Sequence, residues 1–431
     1  MEHEVREIKL AGGAKLLVIN LPVAVSFAFN IYVRSGFRFA RLNQYELPHL
    51  LEHLSFEGNA LYPDALAFKT EVEKDGTYFN AFTNTDYNNY QFVSLPGELN
   101  RIIDLGLAQI FQPILKPKSI AHEQETVINE LQGFAENYSQ LRFYTAYQVL
   151  FGRNVPDWSK RITNIKSVTL ADLQQFHQAH YRPQNIRFTL SGKFSESDIT
   201  AATDRMNQAL SRYPSGPANQ YQPYNLEPFE RQVITKRIPL KNQVLFALEF
   251  VRPGLNMQDI PSLHVLQGLY SGGWSSRMMI KSRQQGLTYS LQSADGTDDD
   301  YTYFEIWDQT EPAKLLPLLR LAVEELVALA QGNYTDAELE RAIGYKAGIM
   351  RRGYQTPASY AEWYGSDYIF DAPLFSPETR IKELLAIDRT AITKAAKRYI
   401  TKDNWALVIL GQKLEGIAEQ FTQLIDQAFM K

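Results

Sequence analysis

The stretch Pro48 to Gly58, PHLLEHLSFEG, constrains this chain more than any other. Proline near its start and glycine at its end bound a helix of about three turns. On that helix His49, Glu52, His53 and Phe56 share one side. Leu47, Leu50, Leu51 and Leu54 take the other, the side expected to anchor in a core. Two imidazoles at i and i+4 can bind one zinc ion from the same face, and a carboxylate next to the second can take a proton from water on that metal. The bland alternative is an ordinary helix surface. Only seven histidines occur in 431 residues, so this spacing with glutamate in the right slot is a coincidence on the order of once per hundred such chains. A third ligand is what such a site still requires.

Any metal here must be held by histidine and carboxylate, because the chain has no cysteine; disulfides and thiolate sites are excluded. Apolar residues at 45% and charged residues at 21% are those of a soluble globular protein. A net charge of −4 gives no footprint for nucleic acid or an anionic membrane. No segment reaches the roughly 18 unbroken apolar residues of a membrane-spanning helix. The start, MEHEVRE, is acidic and lacks an apolar core, so no signal peptide is visible and a cytoplasmic protein is expected, periplasmic if a leader has been trimmed.

Along the first half, Glu7 to Leu21 alternates around Gly12-Gly13 as a hairpin does, and Val23 to Ser35 reads as an apolar strand. A helix is expected from about Asp64 to Asp75, then strands over Tyr78–Thr83 and Tyr90–Leu95. Strands and helices alternate in blocks, which predicts an α+β fold of sheets packed with helices. Pro117 to Asn137 reads as a helix with Ser119 as its N-cap. On it Glu123, Val127, Glu130 and Phe134 form one stripe, threading two carboxylates into an apolar face. A buried carboxylate needs a partner or a metal. The alternative places that stripe in solvent and the core on Ile120, Ile128 and Leu131.

Residues 213–228 are rich in Pro, Gly, Asn and Gln and read as a linker between halves 1–212 and 229–431. Beyond it the element order repeats, as after an internal duplication. Ser262, Val265 and Leu266 then take the places of His49, Glu52 and His53, while Leu339 and Lys346 take those of Glu123 and Glu130. The second half thus has the frame without a ligand, and one metal site per chain is expected. Ala313–Ala330 reads as a core helix with Glu324 and Glu325 outside, and Asp298–Tyr301 as a solvated hairpin turn rather than a calcium loop.

Between His53 and Glu130 lie 76 residues, with Glu123 seven positions before Glu130. H-x-x-E-H followed at that interval by glutamate resembles the pitrilysin and mitochondrial-processing-peptidase family of inverted zincins. The resemblance extends over essentially the whole chain, including Ile165–Leu173 and Tyr181–Asn185. It implies two homologous halves closing as a clamp around a chamber, zinc ligands His49, His53 and Glu130, and Glu52 as general base. It also implies Glu123 as the carboxylate that orients a ligand histidine. Tyr78–Asp86 is similar to the family's edge strand, so Phe79, Asn80, Ala81 and Phe82 would bind an extended peptide substrate. In the family an Arg and a Tyr seven apart in the second half hold substrate. Here Tyr289 fits that pattern, but Ser282 lies seven before it and Arg283 six before. Either a local shift lets Arg283 serve, or a partner chain provides the pair, and Tyr289 can equally be a plain strand residue.

The implied function is a zinc metalloendopeptidase cleaving unfolded or extended peptides, acting alone or as a homodimer or heterodimer with a homologous subunit. Two competitors stand: a non-catalytic subunit serving as scaffold, and a zinc-independent peptide-binding chaperone. His177 and His180, three apart, lack a third ligand and read as ordinary histidines, as does His122.

Overall fold

The structure is a computed structural model that describes residues 2–151, 155–220, 231–254, 256–298, 301–412 and 414–430. Its strands are β1 (Glu4–Lys9), β2 (Lys15–Asn20), β3 (Phe27–Val33), β4 (Tyr78–Thr83), β5 (Asn88–Ser94), β6 (Ile186–Gly192), β7 (Gln232–Arg237), β8 (Val244–Pro253), β9 (Gln292–Asp298), β10 (Tyr301–Thr310) and β11 (Trp405–Gly411). They form two sheets, in the orders β1-β2-β6-β3-β5-β4 and β7-β11-β8-β10-β9. Without β1 the two orders superimpose strand for strand. In each, the second pairing of the common frame is antiparallel and the first is parallel, β2 with β6 and β7 with β11. The repeat read from the sequence is therefore a repeat of topology.

The chain divides into two compact units that are discontinuous in sequence. One comprises Met1–Gln132, Pro156–Gln222 and Gly353–Ser376; the other comprises Gly133–Val155, Pro223–Arg352 and Pro377–Lys431. Each unit thus includes a helix from the opposite half of the sequence. The stretch KLLVIN of β2 shows why a sheet needs such a helix: Leu16 and Val18 face the main core, while Leu17 and Ile19 face the other way. A strand apolar on both faces must be covered on both. In the first unit the helix Pro357–Tyr368 does this with Tyr360, Tyr364 and Tyr368, which cluster on Leu17, Ile19 and Leu21. In the second unit the helix Tyr138–Phe151 lies on β8 and β11 and buries Leu141, Arg142 and Tyr144. Arg142 donates to Glu305 at 3.1 Å and lies over the Trp307 ring. Beside Glu305, burial and then the Glu305 charge push the Glu249 carboxyl well above its ordinary range.

Several boundaries differ from the sequence reading. The apolar strand begins at Phe27, because Val23 and Val25 are exposed before the sheet is joined. The motif helix is Leu47–Leu54, shorter than about three turns, since Ser55 N–H already caps it. The long helix starts at Pro117, so Ser119 lies inside it rather than capping it. Glu325 is not outside: it is buried and accepts from Arg277 and Lys281, which neutralise it there. Residues 221–228 of the expected linker, and 299–300 of the expected turn, lie outside the described residues. No helix among the described residues is long and apolar enough to cross a membrane.

Gly365 and Asp371 add two further contacts between the covering segment and the first sheet. At Gly365 a Cβ would collide with the hydroxyl end of Tyr32, a fully buried side chain. Replacing Gly365 by Ala should therefore destabilise the protein by roughly 1–3 kcal/mol, read from denaturant melts. Asp371, at the end of this segment, accepts from Lys15 (2.8 Å), Arg34 (2.6 Å) and Arg187 (2.8 Å) and has φ 56°. Burial would raise its pKa, but Arg187, Lys15 and Arg34 outweigh it and hold the carboxyl well below the usual range. Its stabilisation is thus present above the unfolded value of about 4 and lost as pH falls toward the folded one. Asp371→Asn keeps a residue that tolerates positive φ and removes the charge. It should lower Tm by roughly 2–4 °C at pH 7, with the gap to the parent closing below about pH 4.

Candidate metal centre

The helix Leu47–Leu54 is seated by Leu47, Leu50, Leu51 and Leu54, each at most 2% exposed, which turns His49 and His53 outward on one face. Each imidazole is fixed through Nδ1. His53 Nδ1 lies 3.0 Å from Glu123 Oε2, and His49 Nδ1 lies 3.2 Å from Glu46 Oε2. With a carboxylate on Nδ1, the proton sits there and Nε2 keeps its lone pair. Both Nε2 atoms then converge on one oxygen of Glu130, at 3.7 Å each. His49, His53 and Glu130 form the one group of three potential ligands found among the described residues, their donor atoms within 4.8 Å of one another.

These residues fit a zinc ion. Tetrahedral ligands at bond lengths near 2.1 Å stand about 3.4 Å apart, close to the 3.7 Å seen. Two neutral imidazoles and one carboxylate are a donor set zinc accepts, with one position left for water or substrate.

Glu46 was invisible to the sequence reading, and so was its partner Arg161. The Glu46 side chain is fully buried and Arg161 donates to it from the helix Trp158–Ile165. Burial alone would raise the Glu46 pKa, but the Arg161 charge and the His49 hydrogen bond reverse that and hold it at about 2. Arg161 in turn lies over the rings of Trp158, Tyr45 and Phe37. The only sequence signal was an acid three residues before the first histidine, one helical turn away.

Glu52 is buried and accepts from Thr83 Oγ1 at 2.6 Å, while Thr83 accepts from Asn88 at 2.5 Å. Thr83 ends β4, the edge strand of its sheet. Phe79 and Ala81 of β4 face the core, where Phe79 meets Phe56 and Phe92. Phe82 packs toward Tyr87, and Asn80 is exposed. As the last strand of its sheet, β4 has a partner strand on one side only, β5.

Glu123 is buried and Phe134 is exposed, so the carboxylate stripe runs from core to surface along the helix Pro117–Glu136. His177 Nε2–H donates to the Ile110 carbonyl oxygen at 2.7 Å, and His180 meets Asn219. Burial, then Arg182, lowers the His180 pKa to about 4. Both are structural. His122 is exposed. In the second unit Ser262, Val265 and Leu266 are buried. Arg283 and Tyr289 belong to that unit and lie side by side, the guanidinium carbon 4.9 Å from the Tyr289 ring centroid.

A duplicated α+β frame with a histidine-pair helix facing a glutamate on a second helix defines a metallopeptidase-like class. Residues 15–153 match the family described as insulinase (peptidase family M16), and residues 167–344 match the peptidase M16 inactive domain. The chain belongs to peptidase family M16. An uncharacterized zinc protease of Rickettsia bellii is 23% identical, covering 96% of this chain and 100% of the relative. One from Bacillus subtilis is 21% identical over 92% of this chain and 96% of the relative. In fold the chain is similar to a protease from Helicobacter pylori, with TM-score 0.84 and 17% identity over 95% of this chain and 100% of that one. A peptidase M16 inactive domain from Pseudomonas fluorescens gives TM-score 0.84 and 20% identity, over 95% and 98%.

If Glu123 sets the orientation of His53, Glu123→Ala should weaken zinc binding about 10- to 100-fold. Competition against a chelator measures this, and an unchanged melting curve would separate it from unfolding.

Proposed function

We propose that this chain is a zinc-dependent endopeptidase acting on unfolded or extended peptides. One observation carries the reading: two imidazoles with Nδ1 fixed by carboxylates turn both Nε2 atoms on Glu130, with Glu52 in the intervening turn. His49, His53 and Glu130 would hold the ion, which supplies polarisation of a carbonyl and acidification of water.

The chain's own groups do the rest. Glu52 is the general base that takes a proton from the attacking water and returns it to the leaving amine. Thr83 holds one Glu52 oxygen, leaving the other for the proton. The same hydrogen bond couples the base to the end of β4. An edge strand presents unpaired backbone N–H and C=O groups, to which an extended peptide can add as a further strand. A substrate paired along β4 would thereby be aligned with the base. Folded proteins seldom offer such a free strand, which favours unfolded substrates. The names of the relatives as zinc proteases support the same reading.

Glu52→Gln keeps an oxygen for the Thr83 hydroxyl and loses basicity. It should retain zinc stoichiometry and lower kcat/KM on a quenched-fluorescent peptide pool by about 10²- to 10⁴-fold. Equal hydrolysis by parent and variant would refute Glu52 as the base. Zinc bound by both with cleavage by neither would point to a missing partner chain or a narrow substrate range, and zinc bound by neither would favour the scaffold reading.

A further inference from the structure

The second unit contains a cavity of about 580 Å³, walled by Gln267, Trp274, Tyr289, Gln292, Tyr345 and Lys346 among others. Lys346 is its chemical oddity. The side chain is 19% exposed, yet its nearest carboxylate oxygen, Asp295 Oδ1, is 3.8 Å away, beyond hydrogen-bond length. The other Asp295 oxygen is engaged by His264 Nδ1. Burial lowers the Lys346 pKa and Asp295 only partly restores it. Paired with Asp295 at ion-pair rather than hydrogen-bond distance, this half-withdrawn ammonium still has N–H donors for a further acceptor. None of the cavity-lining residues is acidic.

The rim is aromatic. Trp274 is 62% exposed, Tyr289 71% and Tyr345 38%, and the Arg283 guanidinium carbon lies within 5.0 Å of the Trp274 and Tyr289 ring centroids. A lining ammonium among aromatic side chains suits an apolar carboxylate. The wall residue Gln292 begins β9, an edge strand paired only with β10. Backbone groups therefore lead away from the cavity and suit a chain rather than a small acid.

We propose that this cavity binds the C-terminal residue of a peptide, its carboxylate against Lys346 and its apolar or aromatic side chain among Trp274, Tyr289 and Tyr345. The proposal rests on the reading that this chain handles peptides, and it adds a preference for a free C-terminus.

The test uses the full chain carrying Glu52→Gln, loaded with zinc, and a hexapeptide ending in Phe with fluorescein at its N-terminus. Fluorescence anisotropy compares the free acid with the C-terminal amide. The acid should bind about tenfold or more tightly than the amide. Lys346→Met should equalise the two, and Lys346→Arg should keep the preference. Equal affinity of acid and amide for the parent overturns the proposal, as does absence of binding by either. A preference that survives in folded Lys346→Met also overturns it. Should Lys346→Met fail to fold, the acid-to-amide ratio on the parent and on Lys346→Arg still decides. Hydrolysis of internal peptide bonds is assayed separately. A chain that cleaves without the acid preference keeps the peptidase reading and loses this one; a chain with the preference and no cleavage does the reverse.

Discussion

Two imidazoles can act together on one ion only if each presents one nitrogen and commits the other, and the carboxylates Glu46 and Glu123 impose that commitment. The arrangement reaches well beyond the helix that carries the histidines. Glu46 is tolerable in a fully buried position because Arg161 neutralises it, and Arg161 is itself packed over three aromatic rings. Glu123 comes from a separate helix whose Ile120, Val127 and Leu131 are buried in the same core as the motif-helix leucines. Glu52 is tied by Thr83 to the edge of the sheet. Four elements distant in sequence must therefore fold together before the donor atoms meet.

The sheets supply the rigidity that this convergence needs. Strands buried on both faces give long runs of apolar residues and demand cover on each side. Both units obtain their second cover from the opposite half of the sequence. The first does so largely with tyrosines and the Asp371 ion cluster. The second does so with Arg142 reaching a carboxyl pair on its sheet. One frame thus carries two different polar solutions to the same packing problem.

Duplication also shows what a frame leaves open. Where one copy has a histidine, a glutamate and a histidine, the other has Ser262, Val265 and Leu266, all buried without any ligand chemistry. The helix that brings Glu130 in one copy brings Lys346 in the other. A shared topology fixes where side chains are presented, and the residue chosen there decides whether the place offers a carboxylate or an ammonium.

The histidine spacing, the recurring element order and the α+β class were legible in the sequence because they rest on local periods: i, i+4 for His49 and His53 and alternation for the strands. The stripe carrying Glu123 and Glu130 was legible for the same reason. Glu46, Arg161 and Thr83 were not, since a side chain's partner across the fold leaves no periodic trace. Glu325 reads as a surface residue until Arg277 and Lys281 are placed beside it. The covering helices are equally silent: nothing within 357–368 says which sheet its tyrosines will meet. The sequence by itself determined which residues share a helix face or strand. Only the tertiary structure decided which nitrogen each histidine presents and which carboxylates are buried, because those depend on contacts between segments far apart along the chain.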